Sequence, residues 1–252
     1  MKNQQKRTKP FAALKPLVIA TALLSAVTAS SAFAMEQTRK QVSSNESTTK
    51  LLSVHFDKRD VVKIEAGDFH FVPGQVATIH THDAPAIGYV SKGDILYQVE
   101  GEKPKLLREG DAFYEPAGPR ILRFDNASAT EEAIFIDFNL QQKNEPFIVF
   151  EEELTEHIDR RTLPTVELKG YNSTQADVFV SEIEPKGQKH LVASTPILSY
   201  VAEGVVKVTT IENGTRHYNA GETFSLIKNT ETALVINGSS KLAAKVITFH
   251  IR

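Results

Sequence analysis

The feature that most constrains this chain is an internal repeat. Shifting the sequence by 111 residues, without gaps, superimposes Pro85 on Pro196, Tyr89 on Tyr200, Val90 on Val201 and Gly93 on Gly204. The match continues through Gly110/Gly221, Phe113/Phe224, Asn126/Asn237, Ser128/Ser239, Ala133/Ala244, Ile136/Ile247 and Phe138/Phe249. Chance predicts about three identities in such a window. A chain of this kind folds as two copies of one unit. The identities are mostly glycines and strand formers, so the shared element is a scaffold of strands.

Local patterns say what the unit is. Residues 86–90, 95–99, 133–138 and 245–251 are short runs rich in β-branched and aromatic residues. Gly93, Gly101, Gly110 and Gly118 punctuate the first copy at the spacing of sandwiches and barrels. Asn213-Gly214 predicts a hairpin turn. The acidic run 151–161 is the one stretch that reads as helical, within a linker spanning 141–166.

The first 34 residues read as a signal peptide. Lys2, Lys6, Arg7, Lys9 and Lys15 precede an apolar run from Leu17 to Val27, and small residues lead to Ala32-Phe33-Ala34. The apolar run is shorter than the roughly 20 residues that span a bilayer. Cleavage after Ala34 leaves a chain with a net charge of about −7, with no membrane span, exported to the periplasm or the medium. Residues 35–59 form a polar segment and a lead-in strand, with 35–50 disordered. An acidic surface argues against nucleic acid as a partner, because phosphates require Lys and Arg clusters. With no cysteine, the exported chain relies on its core alone. Five Asn-x-Ser/Thr sites, at Asn45, Asn126, Asn172, Asn213 and Asn237, matter only in a eukaryotic source.

The most informative stretch runs from Pro73-Gly74 through His80-Thr81-His82 to Pro85, followed by Tyr89-Val90 and Gly93. It resembles the first motif of the cupins, and Gly110-Asp111-Ala112-Phe113-Tyr114-Glu115-Pro116-Ala117-Gly118 resembles the start of their second. The resemblance implies an all-β chain of two cupin-type barrels (double-stranded β-helices) in tandem. Residues 60–140 make the first barrel, with its His-x-His site, and 167–252 a degenerate second. On one strand, residues 80 and 82 share a face, so two imidazoles point together into the barrel. In metal-binding cupins a Glu follows the second His, where this chain has Ala86, and a later His is replaced by Ile121.

Two histidines are short of the three ligands of a catalytic metal site. Glu115 shares a strand face with Phe113 and completes a two-His, one-carboxylate set if that face is interior. Alternatively, it bonds the 117–120 loop or pairs with Arg120 or Arg123. His70 either faces the same cavity or is an edge-strand histidine. In the second copy Leu191 and Ala193 replace the histidine pair.

Two functions follow. One is a small-ligand binding module without catalysis, using His80 and His82 as hydrogen-bonding groups. The other is a metal-dependent dioxygenase, isomerase or lyase with one divalent ion (Fe, Mn, Zn or Ni) on His80 and His82. The degenerate second copy favours the first reading. The chain is a monomer or a homodimer.

Overall fold

The computed structural model describes residues 46–153 and 157–252, so the expected signal peptide and residues 35–45 lie outside the described residues. The first copy contains β1 (Glu46–Phe71), β2 (His80–Thr81), β3 (Ala86–Lys92), β4 (Ile95–Val99), β5 (Lys105–Leu107), β6 (Ala112–Glu115), β7 (Ile121–Asn126) and β8 (Ala133–Gln141). Two short strands follow, β9 (Val149–Phe150) and β10 (Asp159–Thr162). The second copy contains β11 (Val166–Ile183), β12 (Gln188–Ala193), β13 (Ile197–Glu203), β14 (Val205–Thr210), β15 (Gly214–Asn219), β16 (Thr223–Leu226), β17 (Glu231–Asn237) and β18 (Ala244–Ile251). The fold is all-β, and no described residue is helical.

The repeat survives as structure. β3, β6 and β8 begin 111 residues before β13, β16 and β18. Its identities sit where the backbone demands them. Gly93 and Gly204 both have positive φ, and a Cβ at either would meet a backbone carbonyl, of Glu132 at 2.8 Å and of Ala243 at 3.1 Å. Asn126 Nδ2 donates to the carbonyls of Phe71, Val72 and Glu131, while its Oδ1 accepts from Ser128 N–H. Asn237 makes the same four bonds, to Ile183, Glu184, Leu242 and Ser239. One buried amide thus ties three chain segments in each copy. Because both side chains are buried, neither asparagine offers a glycosylation site.

One nine-stranded sheet joins the copies, in the order β16-β13-β18-β11-β1-β8-β3-β6, with β10 also paired to β1. A five-stranded sheet, β5-β4-β7-β2-β9, closes the first barrel, and a four-stranded sheet, β12-β17-β14-β15, faces the second. The joint is β1: its first part pairs with β11 from Glu46↔Ile183 to Ile64↔Val166, and its last part with β8. Strand alternation sorts β8 between two cores. Phe135 packs inside the first barrel with Phe71, Phe113 and Phe124, whereas Ile136, Phe138 and Leu140 face a second cluster shared with β18 and β13. There Phe138 meets its own repeat partner, Phe249, with ring centroids 4.2 Å apart. β8 and β18 are three strand spacings apart in the sheet, about 14 Å if it were flat. The contact requires the sheet to fold on itself. Truncating either ring to Ala costs about 3–5 kcal/mol.

Several sequence expectations change. Residues 46–50 are not disordered but the first rungs of β1, paired with Phe179–Ile183. The run 151–161 is not helical where described: it has few apolar positions to bury on a helical face, and Asp159–Thr162 instead pairs with His70–Gly67. The segment 141–166 is therefore more than a spacer, since it adds β9 and β10 to the first copy. The Asn213-Gly214 hairpin forms, but as a three-residue loop, with Gly214 rather than Asn213 at positive φ.

Candidate metal centre

The site lies between the two sheets of the first barrel. His80 and His82 come from β2 and the residue after it, and Glu115 ends β6. All three are buried. The imidazoles are 5.3 Å apart, nearly perpendicular. His80 Nε2 lies 3.6 Å from Glu115 Oε1, and His82 Nε2 lies 3.2 Å from Glu115 Oε2. Of the groups considered from sequence, these three come together, with ligand atoms within 4.8 Å of one another.

The other ring nitrogens are taken. His80 Nδ1 donates to Thr78 O at 2.8 Å, and His82 Nδ1 donates to Phe147 O at 3.1 Å. Asn139 Nδ2 donates to the same carbonyl at 3.0 Å. With Nδ1–H engaged, the lone pair of each neutral ring sits on Nε2, aimed at the carboxylate. His82 Nε2 and Glu115 Oε1 are buried without a hydrogen-bond partner. Buried polar atoms seldom go unpaired without a reason. Inward-facing nitrogen and oxygen donors fit a divalent transition metal.

Register explains the carboxylate. Glu115 is the cross-strand partner of Ala86, and His80 that of Ile121, the two positions at which the motif resemblance leads one to look for ligands. The acidic group therefore reaches the cavity from the adjacent strand, directly opposite the position where it is missing. The alternatives for Glu115 find other partners: Arg120 pairs with Glu151 and Glu100, and Arg123 with Asp125.

His70 does not join the cluster. Phe69 and Phe71 on either side line the cavity, so strand alternation turns His70 outward. There it meets Asp68 at 3.3 Å and Glu132 at 3.2 Å.

A residue missed from sequence does face the cavity. Asp137, on β8 between inward-facing Phe135 and Asn139, is buried with Oδ1 unpartnered. Two polar residues at interior positions of an otherwise apolar strand were its signal. Burial and the nearby Glu115 charge push Asp137 up to about 8, against the opposing pull of His82 and Arg160. Burial favours neutral His82, but the Glu115 carboxylate outweighs it and raises the ring to about 9. The same attraction, with His80 adding to it, overcomes burial and holds Glu115 well below the usual carboxylate range.

The remaining walls are apolar: Phe69, Phe71, Phe124, Phe135, Ile148 and Phe150, with no Lys or Arg among the lining residues. The free volume is about 30 Å³, room for a water or two. The second copy has no such centre. Leu191, Ala193 and Leu226 stand where His80, His82 and Glu115 would repeat, and all three belong to its apolar core.

Comparison with known proteins places this geometry. The cupin domain family matches residues 67–139. Oxalate decarboxylase from Bacillus subtilis superimposes with a TM-score of 0.55 at 15% identity, covering 81% of this chain and 74% of that one. AerE from Microcystis aeruginosa gives 0.54 at 15% identity, over 81% and 98%. A salicylate 1,2-dioxygenase from Pseudaminobacter salicylatoxidans gives 0.51 at 12% identity, over 75% and 71%. No protein of curated function matches by sequence. The match over residues 67–139 and these structures support the cupin superfamily, whose all-β fold the chain has.

Proposed function

We propose that the first barrel binds one divalent transition-metal ion on His80, His82 and Glu115 and, as its apolar walls part around a cavity that now holds a water or two, takes a small organic molecule at the remaining coordination position. The observation that carries this is the convergence of three buried ligand atoms, with His82 Nε2 and Glu115 Oε1 lacking any other partner. That geometry moves the balance from the metal-free binding module to the metal-dependent reading. Support for a divalent ion also comes from the structural neighbour oxalate decarboxylase, one of whose structures is described by its Mn(II) centres. Fe, Mn, Zn and Ni all accept this donor set.

A bound ion would supply Lewis acidity, polarising an oxygen of the ligand. The chain does the rest. Thr78 O and Phe147 O hold the two rings, Glu115 supplies the negative charge, and the phenyl walls exclude water. Burial and the Glu115 charge raise Asp137 in the metal-free cavity, which makes it the proton-exchanging group nearest a bound molecule. A centre of this kind would serve a dioxygenase, isomerase or lyase acting on a small substrate. The competing reading makes His82 and Glu115 a buried ion pair in a metal-free pocket; the degenerate second copy favours it.

The test is metal analysis of protein purified without chelator or affinity metal, beside a His80→Ala/His82→Ala variant. About one ion per chain, lost in the variant, is expected. No ion in either, even after reconstitution, overturns the proposal and leaves the binding module.

The protein is further proposed to work outside the cytoplasm, as a monomer or homodimer with a small-molecule partner and no nucleic acid. The charge order of residues 1–34 supports export. A mature chain beginning at Met35 in the secreted fraction is the expected mass-spectrometric result; an intact Met1 terminus would refute it.

A further inference from the structure

The two ligand histidines are held in different ways. His80 donates Nδ1–H to Thr78 O, two residues back along its own chain, so its orientation comes with the local backbone. His82 donates to Phe147 O, 65 residues away, in the segment between the repeats. Phe147 precedes β9 and stands outside the ladders of the first barrel. Its position therefore depends on its side chain. The Phe147 ring is buried 6.1 Å from Phe69, and the Arg160 guanidinium lies over it, 3.7 Å from the ring centroid. Arg160 is held in turn by Glu65 Oε1, 2.7 Å from Nη2. Asn139, fully buried on β8, places Nδ2 on the same Phe147 carbonyl at 3.0 Å.

A ligating imidazole works only if its other nitrogen is fixed, because that bond sets both tautomer and ring direction. Here the acceptor for His82 is set by a clamp: Glu65 holds Arg160, Arg160 covers Phe147, and Asn139 grips its carbonyl. We propose that Arg160 and Asn139 are positioning residues of the metal centre: both hold the Phe147 carbonyl that orients His82, and Asn139 Nδ2 also lies 3.2 Å from His82 Nδ1. The proposal rests on the metal-binding reading above. It assigns the segment between the repeats a part in the site that neither motif of the barrel carries.

The test uses the full mature chain titrated with Co²⁺, read by visible absorption and by competition with a chromogenic chelator. Arg160→Ala and Asn139→Leu are each expected to weaken Co²⁺ binding about tenfold or more. Both should also shift the absorption bands, because His82 turns; a loss of global stability alone would not move the bands. Arg160→Lys, which keeps the charge but not the planar stack, should recover part of the affinity. In the wild-type protein, hydrogen exchange in the peptide containing Phe147 should slow several-fold when the ion binds, a measurement independent of how the variants fold. Wild-type affinity and spectrum in folded Arg160→Ala and Asn139→Leu would overturn the proposal and leave the metal centre standing, as would unchanged exchange at Phe147. A wild-type chain that takes up no ion would overturn the metal reading itself, and this proposal with it.

Discussion

Glu115 Oε2 sits 3.2 Å from His82 Nε2 across the first barrel, opposite Ala86, the residue that leaves room for it. The carboxylate thus reaches the cavity from one strand rather than the other. Glu115→Gln keeps the shape and removes the charge. Metal occupancy should fall by at least tenfold, since the site would be left with two neutral nitrogens. The double variant Glu115→Ala/Ala86→Glu, which returns the acid to the opposite strand, should regain part of it. Elemental analysis of the purified variants decides: full occupancy in Glu115→Gln would remove Glu115 from the ligand set.

Metal and proton compete at His82. Without metal, the Glu115 charge outweighs burial and keeps the ring protonated up to about pH 9. Ligation requires the neutral ring, so ion uptake at pH 7 should release at least one proton per ion. The sign follows directly: affinity rises with pH, about tenfold per unit, and levels off above pH 9. Indicator dye in weakly buffered solution measures the release. A stoichiometry of zero would show that the ion does not displace the His82 proton.

These residues also show what a sequence can and cannot carry. The 111-residue repeat contained the strand plan because glycines and Asn126/Asn237 occupy positions where the backbone tolerates little else. His80 and His82 were legible because side chains alternate along one strand. Glu115 was legible only as one of several alternatives, since its partner is set by a ladder between β3 and β6 that no local pattern encodes. Asp137 was passed over because a lone acid in an apolar run looks like strand noise until Phe135 is known to face inward. His70 needed the same knowledge in reverse. The pairing of β1 with β11 is a contact over more than 100 residues, and polar Glu46–Lys50 has no apolar periodicity to announce it. The clamp at Phe147 was hidden for a further reason: its functional atom is a carbonyl, which every residue possesses.

The buried amides should matter equally in both copies. Asn126→Ala and Asn237→Ala each strand three carbonyls and one N–H in the interior. Each should cost about 3 kcal/mol, a fall of roughly 6–12 °C in Tm for a chain of this size. Asn172→Ala, at an exposed sequon, should stay within about 0.5 kcal/mol of wild type. Thermal melts of the three variants check this. A mild effect at Asn237 alone would mean that the second copy is not tied as the first is.

His250 predicts sensitivity to acid in the second copy. It is the repeat partner of Asn139, stacked edge-on against Phe179 with centroids 4.9 Å apart. Burial, then the charge of Arg252, lowers its pKa from 6.5 to about 4; Lys189 and Lys50 push the same way, and Asp177 opposes them. Between these two values the unfolded chain binds the proton that the folded chain refuses. Stability is therefore full above pH 6.5 and drains away as pH falls towards 4, where the folded ring at last protonates. The ring is partly open to solvent, so the loss is smaller than the shift alone implies. In His250→Gln, which cannot titrate, the fall in Tm between pH 6.5 and 4 should be shallower than in wild type by a few degrees. Parallel pH profiles for the two proteins would assign the acid sensitivity to other groups and remove His250 as its source.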